Sequence, residues 1–489
     1  MQLIHPKPYQ IISDEGYNEA KIVIKASDFE NVSFQEGRMT FSFINCDFTK
    51  LEIENNETIE FPNIYIQFTD CFIGEIKVDK ITTTNLSIFF GSSILDGQIK
   101  NENLKNVTVN NCLLNNSLFL FNLKSATVSY TEENIVPHRW TRIYYKYGKP
   151  VVDFLKVKQS FYIYDCEDII FTVNEKEVKD ENNADNCLTD EVKKKIEISL
   201  SLKYSADREH KLTKIINAKL LTLSISGYST GELLIENSEI DNWYIHNFST
   251  QLGATFYNIR PFRKESEEKK LEIRESNLDK VWFDNFAFDD YSTISLYRNK
   301  FGQTTFTACD FPNDYKDFGK IQTIENIHYP DKKDKNYFKT RYEVFLQFRK
   351  LLEASGNFYE AQKFHAVSNE ALMNVENLPF WDRQILKINS SSNNHGLSIK
   401  EPFIATVFIS IAFYLLYLLS LGRLFTSTSF DWNLFGYYFS FLDITHRSDF
   451  LVKKEELNGF ALTIDYLNKI IIGFLIYQFI AAFRKYGKK

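Results

Sequence analysis

Hydrophobic and polar residues follow three different rules along this chain. Up to about residue 320 the apolar positions alternate in short runs, as in Leu51-Glu52-Ile53, Glu75-Ile76-Lys77-Val78 and Leu118-Phe119-Leu120-Phe121. A period of two predicts strands with one buried face. Across residues 337–373 the spacing becomes three and four: Tyr342, Phe345, Phe348 and Leu352, then Phe358, Ala361, Phe364, Val367 and Leu372, with Ser355-Gly356-Asn357 between. Two amphipathic helices forming a hairpin are predicted there. From Phe403 to Leu421 the chain carries no charge at all, and twelve of the nineteen positions are Leu, Ile, Phe or Val. At 1.5 Å per residue such a helix covers about 30 Å, the thickness of a bilayer's hydrocarbon core.

Within the strand region one phrase recurs: a polar residue, a small one, any residue, then a large apolar one. It reads Asn45-Cys46-Asp47-Phe48, Asp70-Cys71-Phe72-Ile73, Ser92-Ser93-Ile94-Leu95 and Asn111-Cys112-Leu113-Leu114. It returns as Asn237-Ser238-Glu239-Ile240, Glu275-Ser276-Asn277-Leu278, Arg298-Asn299-Lys300-Phe301 and Ala308-Cys309-Asp310-Phe311. The first small residues are 25, 22 and 19 apart. A period near 20–25 predicts a β-solenoid, in which no coil buries its apolar face alone and stacked coils share one core. The small residue fits the tight turn and the large one, two places on, fills the tube. A β-sandwich is the competing architecture, and the preserved internal order of the phrase favours the solenoid.

The expected organisation is a first solenoid part over 1–135 and an insertion or irregular subdomain over 136–206. A second solenoid part covers 207–320, a helical hairpin and linker 321–396, and a transmembrane hairpin 397–489. Residues 136–206 break the phrase and contain a charged stretch, 174–195, that can bury little surface. Residues 390–396 (SSSNNHG) read as a polar linker. The second span, ending at Phe483, must reach back to Ile464 to be long enough. It carries Asp465, Asn468 and Lys469 at one interface, with Lys469 snorkelling toward headgroups. Between the spans, residues 430–442 (FDWNLFGYYFSFL) form a short aromatic segment, interfacial or re-entrant.

Charge gives the orientation. Four of the last six residues are basic, which places that end in the cytoplasm by the positive-inside rule. Two spans return the N-terminal part to the same side, and the opening MQLIHPKPYQ has no apolar core of an export signal. The net charge of −7, from 64 acidic and 57 basic side chains, argues against a nucleic-acid partner. The six cysteines, Cys46, Cys71, Cys112, Cys166, Cys187 and Cys309, form no Cys-x-x-Cys pair and are expected to be reduced thiols of the repeat rather than metal ligands.

Little candidate chemistry survives inspection. Gly227-Tyr228-Ser229-Thr230-Gly231 matches a nucleophile elbow, which needs a helix after the serine; Glu232-Leu233-Leu234-Ile235-Glu236 reads instead as a strand, so a glycine turn between coils is expected. Asp284, Asp289 and Asp290 near Trp243 and Trp282 imitate a carbohydrate site, with solvated loop residues as the plainer meaning. No phosphate-binding or dinucleotide loop and no His-Glu-x-x-His is present. No catalytic residue, cofactor or metal is therefore expected. In the second span Phe474, Gln478, Ala481 and Ala482 share a face suited to helix packing between subunits or to a pore. His446, Arg447, Arg484 and Lys485 are candidate contacts to lipid headgroups.

The stretch Arg349-Lys350-Leu351-Leu352-Glu353-Ala354-Ser355-Gly356-Asn357 with Glu360-Ala361 and Phe364-His365, followed by Phe380-Trp381-Asp382-Arg383, residues 391–396, Thr445-His446-Arg447, Ile476-Tyr477-Gln478 and Ala482-Phe483-Arg484-Lys485, resembles bacterial membrane-anchored pentapeptide-repeat-like proteins. The resemblance covers roughly residues 340–489; coil lengths depart from strict pentapeptides. It implies a mainly β fold, an irregular right-handed β-solenoid followed by a helical hairpin and two C-terminal transmembrane helices, at a bacterial inner membrane. Two functions fit. One is a membrane-anchored, non-enzymatic binding or sensing protein with a cytoplasmic protein partner. The other is a homo-oligomeric membrane effector or ion-conducting pore, as in a host-defence device.

Overall fold

The computed structural model describes residues 2–3, 19–23, 38–44, 46–48, 50–55, 63–82, 85–131, 158–174, 197–262, 268–312, 318, 320–323, 337–424 and 432–483. These fall into two compact units, residues 1–327 and 328–489.

The first unit is a parallel β-solenoid of about eight turns. Strands stack in register from coil to coil: Asn63–Thr69 on Leu86–Gly91, that strand on Asn106–Asn110, and so on toward Ile321–Gln322. The recurring phrase marks where the chain turns. Its first residue takes a left-handed backbone, at φ 53 for Asp70, 50 for Asn111 and 48 for Asn237. Asn and Asp tolerate that region better than other side chains, which explains their frequency there. The second residue points inward and satisfies the turn. Ser93 Oγ donates to Gly91 O at 2.8 Å and accepts from Cys71 N at 3.0 Å, in the preceding coil. Ser238 and Ser276 repeat both bonds. Cys112 Sγ reaches Asn110 O and Phe90 O, both at 3.4 Å. The large residue two places on is buried in every copy, from Phe48 and Ile73 to Phe301 and Phe311. Phe43, Phe68 and Phe90 stack at 5.1 and 5.3 Å as one column of the core.

The described strands within 136–206 continue the ladder rather than forming a separate irregular subdomain, which leaves the insertion alternative for the sequence between them. Lys158–Tyr164 and Glu197–Tyr204 pair in register between Leu113–Phe121 and Lys219–Ser229, while Asp168–Asn174 pairs with Ser125–Thr131 and Leu212–Ile216. The extra sequence enters between strands; all of 174–195 except Asn174 lies outside the described residues. Coil length changes there, and the large apolar position of the phrase lapses, although Asp165 at φ 55 and the inward Cys166, bonded to Tyr164 O and Leu120 O, keep its turn while the pairing persists.

The glycine-flanked serine motif belongs to the coil. Gly227 sits at φ 94 where the ladder shifts register, and a Cβ on it would lie 1.8 Å from Tyr204 O. Ser229 is buried with its hydroxyl donated to Gly231 O at 3.3 Å, and a strand follows at Glu232–Thr250. The imagined carbohydrate platform does not assemble either. Trp243 is fully buried against Phe256 and Phe286, Trp282 Nε1 donates to Thr307 Oγ1 at 3.0 Å, and Asp289 pairs with Lys320.

The second unit is helical: α1 (Tyr337–Ala354), α2 (Phe358–Met373), α3 (Phe380–Asn393), α4 (Lys400–Ser420), α5 (Trp432–Leu442) and α6 (Gly459–Phe483). The α1–α2 hairpin forms as its spacing predicts, with Phe348 stacked on Phe364 at 5.0 Å and the Asn357 side chain capping Glu360 N. The polar linker is corrected: residues 390–393 are the last turn of α3, ended by Asn394 in the left-handed conformation. Helices α4 and α6 are long and apolar enough to cross a membrane. Only 22% and 28% of their most apolar windows is buried, whereas the core helix of a soluble protein would be mostly buried. They point to membrane association.

Burial pushes the thiols of Cys112, Cys166 and Cys309 up to about 12, so the reactive thiolate is scarce at neutral pH. Maleimide at pH 7.5 followed by peptide mass mapping is expected to leave the fully enclosed Cys112 and Cys166 unmodified in the folded protein and to label both after denaturation. Rapid native labelling of either would contradict the inward placement of the turn residue.

Candidate functional site

The chemistry of the second unit gathers on one stripe of α6. Its buried residues are Ala461, Ile464, Asp465, Asn468, Ile472, Leu475, Gln478 and Ala482, at helical three-and-four spacing. All three polar members lie on the protein-facing side. Leu467, Ile470, Phe474 and Ile480 are exposed on the other.

Gln478 lies about 7.5 Å along the axis from the end of α6. Its Nε2 donates to Asn389 Oδ1 at 3.0 Å, and its Oε1 accepts from Asn393 Nδ2 at 2.6 Å. Asn393 Nδ2 also donates to Gln478 O at 3.2 Å. These bonds tie the last turns of α3 to α6. The expected packing face is thus divided. Gln478 and Ala482 are enclosed by the same chain, Ala481 is half-buried beside a cavity, and Phe474 faces outward. Each end of the amide therefore has a partner within the chain.

Asp465, about 9 Å from the start of α6, holds the connection after α5. Its Oδ1 accepts from His446 Nε2 at 2.7 Å; its Oδ2 accepts from Ser448 Oγ at 2.6 Å and Lys469 Nζ at 3.0 Å. Lys469 Nζ donates further to His446 O at 2.9 Å. Two readings change. Lys469 turns inward rather than snorkelling, and the His446 side chain is buried against Asp465 instead of meeting a headgroup. Arg447 is exposed; Arg484 and Lys485 lie outside the described residues. The aromatic segment between spans is helix α5 from Trp432 onward, bound to α4 by Ser410 Oγ and Tyr438 OH at 2.7 Å and by Tyr414 OH donating to Leu434 O.

Above Gln478 lies a polar cavity of about 290 Å³. Arg349, Glu353, His365, Asn389, His395 and Gln478 line it. Burial lowers the imidazoles of His365 and His395 to about 4, so both are neutral at pH 7; the charge on Arg349 adds to the effect at His365. Sequence reasoning missed this cavity because its residues are spread over α1, α2, the end of α3 and α6. The one signal was the polar cluster Asn389 to Gly396 together with a glutamine in a candidate span. Among the described residues no group of three or more His, Cys, Asp or Glu could hold a metal ion.

No family model, curated protein or solved structure matches this chain.

The two polar nodes should differ in cost when broken. Asp465→Leu strands the Lys469 charge in a buried site, worth roughly 3–5 kcal/mol. Gln478→Leu leaves two neutral amides short of a partner, worth roughly 1–3 kcal/mol. Thermal unfolding in detergent is expected to show both variants below the parent, with Asp465→Leu the lower. Unchanged midpoints would mean that these bonds do not hold the unit together.

Proposed function

We propose that the chain is a membrane-anchored, non-enzymatic binding or sensing protein, its β-solenoid offered to a protein partner and its α4–α6 hairpin fixed in the bilayer. The observation that carries this reading is the sorting of α6: Asp465, Asn468 and Gln478 each make a bond inside the chain, and a mostly apolar face is left exposed, suited to lipid. The sorting extends to α3, whose exposed Phe380, Trp381, Ile385 and Ile388 form one stripe just before the first span. With its C-terminal end bonded to Gln478 near the end of α6, this helix is suited to lie in the headgroup region, where tryptophan is favoured. The resemblance to bacterial membrane-anchored pentapeptide-repeat-like proteins supports a bacterial inner membrane. The basic tail supports cytoplasmic placement of both termini.

The pore reading required Gln478 to face a lumen or another subunit, and its amide is already taken by Asn389 and Asn393. Full-length protein reconstituted into liposomes is expected to float with the vesicles, resist carbonate extraction and release no trapped potassium. Potassium release by the parent that disappears in Gln478→Leu would overturn the anchor in favour of the effector. Protein recovered wholly in the soluble fraction would overturn both.

A further inference from the structure

Helices α4 and α6 run antiparallel along each other, and contacts near their ends fix the register. Asn458 Nδ2, just before α6, donates at 2.7 Å to the carbonyl of Ser420, the last residue of α4. At the other end the rings of Phe403 and Phe479 lie 6.4 Å apart. Exposed apolar side chains continue up to the Ser420–Asn458 end, with Leu415, Leu416 and Leu419 on α4 and Phe460 on α6. A hydrocarbon core of about 30 Å takes about 20 helical residues, so a bilayer that covers these side chains reaches that end.

The segment between the two helices leaves from the shared end and returns to it. Arg423 Nη2 and Glu456 Oε2 meet there at 3.6 Å. Between them the segment dips alongside both helices. Tyr438 OH and Ser410 Oγ are 2.7 Å apart, and Asn468 Nδ2 donates to Phe441 O at 3.2 Å. Ten residues separate Ser410 from Ser420 and Asn468 from Asn458, which puts both about 15 Å below the shared end. The connection after α5 climbs back from that level. His446 Nε2 meets Asp465, about 10 Å down, and Tyr417 OH donates to Ser448 O, about 5 Å down.

What this connection exposes does not suit lipid. Asp443, Thr445, Arg447 and Asp449 are exposed on irregular backbone. An arginine can stretch its charged end toward the surface, but an aspartate is too short to do so. Irregular backbone and charged side chains persist at membrane depth only against protein or water. The inner side of the connection already has protein, since His446, Ser448 and Lys469 all bond Asp465. A second copy over the outer side would strip water from two aspartates for each arginine, an uncompensated charge that is costly to bury. Water covers the same groups without that penalty.

We infer that residues 432–450 form a re-entrant segment whose polar turn lines a water-filled recess, open on the Ser420–Asn458 side of the bilayer and closed about halfway through it. Trp432, Phe435 and Phe439, exposed at three-and-four spacing along α5, then face lipid. Water does not cross, because the recess ends at the level of Ser410 and Asn468. The inference rests on the anchoring reading, since depth has meaning only if α4 and α6 span.

The test places nitroxides singly at Thr445, Arg447, Leu419 and Phe474 of the full-length protein in liposomes, with the unsubstituted parent as labelling background. Collision with a water-soluble nickel chelate is expected to be severalfold stronger at Thr445 and Arg447 than at Leu419. Leu419 and Phe474 should meet oxygen instead. Weak nickel collision at both Thr445 and Arg447 overturns the recess and leaves the anchor standing, with oxygen collision there indicating lipid and shielding from both reagents a second copy. Strong nickel collision at Leu419 also overturns the recess, because the bilayer then ends below the connection and α5 lies on its surface. Strong nickel collision at Phe474 overturns the anchoring reading and the recess with it.

Discussion

A polar side chain on a helix in hydrocarbon must find its partner within the protein, and the helical unit is organised around that constraint. In α6 it is met by turning Asp465, Asn468 and Gln478 to a single stripe and bringing other segments to them. Asp465 draws in the connection after α5 through His446 and Ser448, and Asn468 Nδ2 donates to Phe441 O at 3.2 Å. Gln478 draws in the end of α3. The polar residues of this candidate span therefore act as anchors for the segments between and before the two long helices, while the opposite face is mostly apolar, with Thr463, Tyr466 and Tyr477 among its exposed side chains.

The solenoid answers a related constraint in a protein core. At the turns of the recurring phrase a Cys or Ser points inward between coils and donates to the carbonyl two residues back; in Ser93, Ser238 and Ser276 it also accepts an amide from the preceding coil. After Asn122, Asn247 and Asn285, by contrast, a buried Leu123, Phe248 or Phe286 takes the inward place. What resembled candidate chemistry in the sequence, a serine between glycines or a scatter of cysteines, is material of the turns. The position of Ser229, hydroxyl to Gly231 O, shows how a catalytic motif can arise from the geometry of a coil.

The fold was legible because its physical signals are local. The phrase built on Asp70-Cys71 and Asn111-Cys112 marks turns, and alternation marks strands. The uncharged run from Phe403 marks a span. Where coil length changed, at residues 136–206, the phrase lost its large apolar position although parallel pairing continued through Lys158–Tyr164 and Glu197–Tyr204. Composition misled at residues 390–393, where three serines and Asn393 finish a helix whose end is bonded to Gln478. The apolar spacing of Phe380, Ile385 and Ile388 was the available warning. Partners for Gln478, Asp465 and His446 were not legible: sequence identifies a polar residue in a span but not which distant segment folds back to meet it. His395 was hidden for the same reason, since its surroundings come from four helices.

The most direct measurement of this account is a nitroxide scan along α6 in the reconstituted full-length protein, comparing collision with oxygen and with a water-soluble nickel chelate. Labels at Leu467, Ile470 and Phe474 should meet oxygen freely, while those at Ile472, Leu475 and Gln478 should be shielded from both reagents. Strong collision of the nickel chelate with the 472, 475 and 478 positions would show a water-filled path along that stripe, and the inward-bonded anchor would be wrong.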